Sequence, residues 1–160
     1  MVILVMGVTG SGKTTVGKLL AQRLTWDFLD ADDFHSKSNR EKMHLGIPLT
    51  DAERAPWLAA IHEELLRSND AGQNVVLACS ALKQEYRNTL SAGLTFAVVF
   101  LRGTVAQLQR KLATTKEHFA GEKLVPSQLA TLEEPSGAII EDISLSSEEI
   151  VNDVRLRLKT

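Results

Sequence analysis

Val2-Ile3-Leu4-Val5-Met6 is an unbroken apolar run, rich in β-branched residues, that ends at a glycine-rich turn. Such a run predicts a strand buried on both faces of a parallel sheet. Immediately afterwards the period changes: Val16, Leu19, Leu20 and Leu24 fall on one face of a helix predicted over Lys13–Leu24, with Lys18 and Gln22 away from that face. Trp26–Leu29 reads as a short second strand, Asn74–Cys79 and Phe96–Leu101 as central strands, and Ala138–Ile143 as a weaker fifth. The intervening helical stretches have legible starts, because Thr50 with Glu53, Thr104 with Gln107, and Ser146 with Glu149 each have the spacing of a capping box. Alternating strands and helices predict a doubly wound α/β fold, a five-stranded parallel sheet with helices on both faces.

Two segments interrupt the alternation. Residues 31–73 form a long, partly helical insertion between the second and third strands, punctuated by Pro48 and Pro56. Residues 114–126 are polar, contain Gly121, and are expected to act as a lid. No internal repeat or low-complexity tract is present, and the 160 residues are expected to form one domain.

Composition narrows the functional classes. Lys and Arg number 18 against 20 Asp and Glu, so no overall positive field exists to attract nucleic acid or an anionic membrane, and any anion site must be local. The first apolar run is far shorter than the roughly 20 residues of a membrane span, and it lacks the basic flank of a secretion signal. Cys79, the single cysteine, cannot form an internal disulfide, which suits a reducing compartment; the expected location is the cytoplasm.

Gly7-Val8-Thr9-Gly10-Ser11-Gly12-Lys13-Thr14 matches the phosphate-loop pattern G-x-x-x-x-G-K-[ST] in full, between a predicted strand and a predicted helix. Glycines let the backbone curl so that N–H groups converge on phosphate oxygens, and the helix start adds its positive dipole end. Gly7, Thr9, Gly10, Ser11, Gly12, Lys13, Thr14 and Thr15 are therefore nucleotide-binding candidates, with Lys13 directed at the terminal phosphates and the Thr14 hydroxyl at Mg²⁺. No Asn-Lys-x-Asp guanine-reading motif occurs, and the third strand ends in Ala78-Cys79-Ser80 without the usual metal-binding aspartate. Acidic groups come instead from Asp30-Ala31-Asp32-Asp33, at the carboxyl end of the second strand, where open α/β sheets bind ligands. One such carboxylate can serve the metal shell and another can accept the proton of an attacking hydroxyl, while Asp33 serves equally well as a cap for the next helix.

Beyond the phosphate loop, Leu29-Asp30-Ala31-Asp32 with His35, Asn39 with Glu41-Lys42-Met43, Gly46-x-Pro48-Leu49, and Asp51-x-x-Arg54-x-Pro56-Trp57-Leu58 follow in order. Cys79-Ser80-Ala81-Leu82-Lys83 with Tyr86-Arg87, His118-Phe119, and Gln128-x-x-x-Leu132-Glu133-x-Pro135 continue the series. Together these resemble the thermoresistant type of gluconate kinase, over most of the chain. The resemblance implies a three-layer P-loop NTPase of nucleoside-monophosphate-kinase type, akin to shikimate kinase. It also implies ATP-dependent phosphorylation of D-gluconate at the 6-hydroxyl with Mg²⁺, a homodimer, and neither a nucleic-acid nor a membrane partner. By the same likeness Asp32 is the catalytic base alongside Lys13, Asp30 joins Thr14 near the metal, and the segment from Pro135 packs on the nucleotide base.

A polyol carrying a carboxylate needs hydroxyl readers and a cation. His35, Asn39, Lys42 and Arg54 in the insertion, and Lys83 and Arg87 four apart on one expected helix face, are the substrate-binding candidates beside Asp32. His44 and His62 are expected at the surface, Trp57 in the core or a pocket wall, and Cys79 buried at a strand end. One departure stands out: the lid arginine expected three residues before His118-Phe119 is replaced by Thr115, leaving Arg110, Lys111, Lys116 and Lys123 as alternative cations. Two other readings compete, a kinase for another small polyol acid or sugar, and a nucleotide-binding regulatory module without catalysis.

Overall fold

In the computed structural model, which describes residues 1–114 and 118–159, five parallel strands lie in the order β2-β3-β1-β4-β5. They are β1 (Val2–Met6), β2 (Asp27–Asp30), β3 (Val75–Ala78), β4 (Phe96–Arg102) and β5 (Ile139–Asp142). The helices are α1 (Lys13–Leu24), α2 (Lys37–His44), α3 (Asp51–Asp70), α4 (Gln84–Ser91), α5 (Val105–Leu112), α6 (His118–Thr131) and α7 (Ser147–Leu158). The expected three-layer architecture and all five strands are present, with strand ends shifted by at most one residue.

Strand β1 is the axis of the sheet. All five of its residues are buried, and it pairs with β3 on one side and β4 on the other, Val2 facing Val75 and Phe96. Side chains alternate across the sheet. Ile3 and Val5 enter one apolar layer with Val16 and Leu20 of α1 and Val151 and Val154 of α7. Val2, Leu4 and Met6 enter the opposite layer with Trp57, Ile61 and Leu65 of α3 and Leu90 of α4.

All three expected capping boxes form. Thr50 Oγ1 accepts from Glu53 N at 3.2 Å, Thr104 Oγ1 from Gln107 N at 3.2 Å, and Ser146 Oγ from Glu149 N at 3.1 Å. Pro56, expected as punctuation, instead sits inside α3. It removes one backbone donor, a loss offset by the capping box that begins six residues upstream at Thr50 and by the buried stripe Trp57, Leu58, Ile61 and Leu65. Segment 114–126 also departs from the expected polar loop, since α6 already runs from His118 and contains Pro126.

Ile61 is fully buried at the centre of the α3 layer. Replacing it with alanine is expected to lower unfolding free energy by about 2–4 kcal/mol, measurable as a lower urea midpoint with an unchanged slope.

Candidate active site

The carboxyl ends of β1, β2 and β3 open into a cleft of about 710 Å³. A recess of about 80 Å³ shares the walls formed by Thr9, Lys13, Asp32 and His35. The phosphate loop forms the cleft's floor, and its turn depends on backbone geometry open to glycine. Gly10 and Gly12 have φ of 85° and 94°. A Cβ on Gly10 would lie 2.7 Å from Leu112 Cγ, so that position is closed to side chains by space as well as by torsion.

Thr9, Gly10, Gly12, Lys13, Thr14 and Thr15 line the cleft as expected of a nucleotide site. Gly7 and Ser11 do not: Ser11 is buried and its N–H donates to Val8 O at 3.2 Å, within the loop's own fold. Pro135 is buried and lines neither cavity. Lys13 Nζ donates to Val8 O at 3.2 Å. Burial depresses its pKa, opposed by the neighbouring carboxylates of Asp32 and Asp30.

Acidic groups converge on the same point. Thr14 Oγ1 donates to Asp30 Oδ2 at 3.1 Å, while Asp30 Oδ1 accepts from Asp32 N at 3.0 Å and so caps the short 3₁₀ turn Ala31–Phe34. Both oxygens of Asp30 are thereby oriented, and the turn places Asp32 on the wall shared by cleft and recess. The hydroxyl–carboxylate pair is a set of hard oxygen donors suited to Mg²⁺, which keeps several waters and few protein ligands.

The insertion supplies the other wall. His35 stacks on Trp57 with ring centroids 4.2 Å apart, and Trp57 Nε1 donates to Ala31 O at 2.6 Å, locking ring and turn together. Burial, then the positive charges of Arg40 and Arg54, push the His35 pKa down to about 4. A neutral imidazole at pH 7 can both donate and accept, which matches hydroxyl groups. Arg54 lines the recess and donates to Tyr86 Oη at 3.1 Å.

Other substrate candidates lie outside both cavities. Asn39 is buried and donates to Glu53 O at 3.2 Å, and Lys42 Nζ contacts Glu53 Oε2 at 2.5 Å, so both dock α2 against α3. That pairing, with the Thr50 N–H, holds the Glu53 pKa at about 2. Lys83 and Arg87 do not share a helix face, because α4 begins at Gln84 and Lys83 is its extended N-cap. Lys83 pairs with Asp51 at 3.1 Å, and hydrogen bonds from Tyr86 and Lys83 lower the Asp51 pKa. Arg87 is only 3% exposed and donates through Nη1 and Nη2 to Ala81 O (2.6 Å), Leu82 O (3.1 Å), Gln84 Oε1 (3.1 Å) and Glu133 O (2.8 Å).

The structure also adds residues absent from the sequence-based site. Arg40 lines the cleft and pins the acidic turn by donating to His35 O at 3.2 Å and Asp33 O at 3.0 Å. His44, expected merely at the surface, borders the cleft, whereas His62 is half-buried with Nδ1 3.1 Å from Leu90 O. Gln128 reaches from α6 into the recess. Its motif was visible in the sequence, but one glutamine carries no chemical signal by itself. Thr115 and Lys116 lie outside the described residues.

The family model of shikimate kinase matches residues 9–154. The chain is 44% identical to the probable gluconokinase of Xenopus tropicalis, covering 96% of this chain and 93% of that protein. It is 48% identical to the gluconokinase of Gluconobacter oxydans, covering 83% and 75% respectively. The solved gluconokinase of Sinorhizobium meliloti superposes with a TM-score of 0.88 at 40% identity, over 98% of this chain and 90% of that one. The chain belongs to the gluconokinase family. Against more distant P-loop kinases the likeness is of fold alone, as with the APS kinase of Mycobacterium tuberculosis at 20% identity and a TM-score of 0.76. Among the described residues no helix is long and apolar enough to cross a membrane.

In this gluconokinase-family site the titration of His35 is a direct check. Its folded pKa of about 4 lies below the ordinary 6.5, so between these values the unfolded chain binds the extra proton. Its contribution to stability is therefore complete above pH 6.5, falls as pH drops through that interval, and levels off below about 4. Histidine NMR is expected to show the His35 ring still neutral at pH 5.5, a signal lost in His35→Ala.

Proposed function

We infer that the protein is a gluconokinase, transferring the terminal phosphoryl group of ATP to the 6-hydroxyl of D-gluconate and releasing 6-phospho-D-gluconate and ADP. The observation that carries this reading is the joint wall of phosphate cleft and recess, where Lys13 and Asp32 face both spaces while Arg54 and His35 line the recess. The phosphate loop holds the triphosphate, and Lys13 offsets charge on its terminal oxygens. Arg54 supplies the guanidinium that a carboxylate requires, and neutral His35 reads a hydroxyl. Asp32 accepts the proton lost by the 6-hydroxyl as the new O–P bond forms and the bond to departing ADP breaks. Thr14 and Asp30 would hold Mg²⁺, which supplies charge neutralisation on the phosphates when bound.

Lys111 supports the reading where the lid arginine is missing. It lines the cleft from the last turn of α5, with Nζ only 3.6 Å from the point a Cβ on Gly12 would occupy. This cation takes over the stabilisation of the transferring phosphoryl group. A homodimeric state and a cytoplasmic location complete the reading. The second is supported by Cys79, a lone thiol with no internal disulfide partner.

A coupled ADP-release assay with ATP and Mg²⁺ against D-gluconate, shikimate and other aldonic acids tests the assignment. Saturable turnover is expected with gluconate well above the rest; preference for another acid, or ATP binding without turnover, would replace it. Asp32→Asn is expected to lower kcat by about 10²–10⁴-fold with ATP affinity nearly intact. Lys111→Ala is expected to lower kcat about 10²-fold at little cost in gluconate KM, and a change under threefold would shift the phosphoryl-stabilising role elsewhere.

A further inference from the structure

We propose that Gln128 is a substrate-binding residue whose side-chain amide spans from the Thr9 N–H of the phosphate loop to a hydroxyl oxygen of the bound polyol acid. The proposal rests on the gluconokinase reading above and extends it to a second polar group on the wall of the recess that Arg54 lines.

The argument begins with hydrogen-bond polarity. Thr9 N lies 2.7 Å from Gln128 Oε1, and a backbone N–H can only donate, so the amide oxygen is committed to the phosphate loop. What remains is the NH₂ group, with two donors and no acceptor capacity. Among the described residues no hydrogen bond from it to protein is present, and Gln128 borders the recess together with Asp32, His35, Arg54 and Ser80. An open donor on the wall of a recess calls for an oxygen acceptor once a ligand displaces the water there, because a donor stripped of water and left without a partner is costly. Hydroxyl oxygens of a polyol acid meet that need.

Anchoring makes the contact specific. The oxygen end of Gln128 is fixed to the loop that holds the phosphates, so an acceptor hydroxyl bound at the nitrogen end is placed relative to the transferring group. The helix carrying Gln128 is itself fixed just beyond its end. Glu133 N donates to Leu82 O at 2.8 Å, and Glu133 Oε1 accepts from Gln84 N at 2.8 Å, tying α6 to the loop that presents Ser80. The motif Gln128-x-x-x-Leu132-Glu133 thus has two working ends, one on the phosphate loop and one on the β3–α4 connection.

The test compares two variants with wild type in ATP-saturated steady-state kinetics, alongside ATP affinity by calorimetry without gluconate. Gln128→Met removes both contacts at similar volume. It is expected to lower kcat/KM for gluconate about 10- to 30-fold while ATP affinity moves less than threefold. Gln128→Glu keeps an oxygen for Thr9 N–H but loses the donors at neutral pH. Its activity relative to wild type is expected to rise as pH falls from 8 to 5.5, when a protonated carboxyl can donate again. Should the Met variant not fold, the Glu variant carries the test alone. Gluconate parameters within twofold of wild type, an ATP affinity that weakens as much as kcat/KM falls, or a pH-independent activity ratio for the Glu variant would each overturn the proposal and leave Gln128 a mere brace of the loop. A wild type that fails to turn over gluconate defeats the underlying function assignment, and this proposal with it, whereas a defect confined to the variants does not.

Discussion

The phosphate loop can hold its shape only because the strand before it has nowhere to move. Strand β1 is hydrogen-bonded on both edges and packed on both faces, so a one-residue slip would exchange Ile3 and Val5 with Leu4 and Met6 between two different apolar layers. Three contacts that shape the site run through the loop and helix start that this strand anchors. Lys13 reaches back to Val8 O, Thr14 holds Asp30, and Thr9 N–H holds Gln128. Two glycines in left-handed geometry carry the chain from the immobile strand into α1 without a side chain obstructing the floor.

Charge in the cleft is arranged by commitment of one group to orient another. Asp30 uses both oxygens, one on Thr14 and one on Asp32 N, so its neighbour Asp32 sits at a defined place beside Lys13. Burial pulls the Lys13 pKa down and the Asp32 carboxylate pulls it back, which ties the ammonium's charge to an acid in the turn after β2. His35 lies between Arg40 and Arg54 and stays neutral, so the wall gains a group that both donates and accepts without adding a third cation. Anion recognition and hydroxyl recognition are thereby given to different side chains.

Much of this was legible in the chain. Strand β1 and α1 have the boundaries that apolar run and helical period indicate, because both are buried by strong, uninterrupted patterns. The three capping boxes were equally plain, since their chemistry is local. Pro56 misled because a proline early in a helix is tolerated when a cap and a buried stripe offset one missing bond, and that stripe packs on strands distant in sequence. Lys83 and Arg87 misled for a similar reason: their spacing fits one helix face, but the helix starts after Lys83. Arg40 was hidden, and Lys111 stood only as one of four alternative cations, because a basic residue in a helix has no sequence signature for the surface it approaches.

Several side-chain donors near the carboxyl end of the sheet have one job in common. At the carboxyl end of the sheet the strand ladder stops, and the loops beyond it carry carbonyl oxygens that still need donors once they are covered. Trp57 supplies one to Ala31 O, Arg40 to Asp33 O and His35 O, and Arg87 to Ala81 O, Leu82 O and Glu133 O. Ala81 shows the consequence most clearly. Its φ of 44° is a left-handed conformation costly for a residue with a Cβ, and it is held in the turn that presents Ser80 to the recess. An arginine with several planar donors satisfies the carbonyls of such a turn at once, which a lysine's compact ammonium cannot do with the same geometry. A cationic side chain near an anion site is therefore not by itself an anion ligand; where its donors meet loop carbonyls, it builds the shape in which other residues bind.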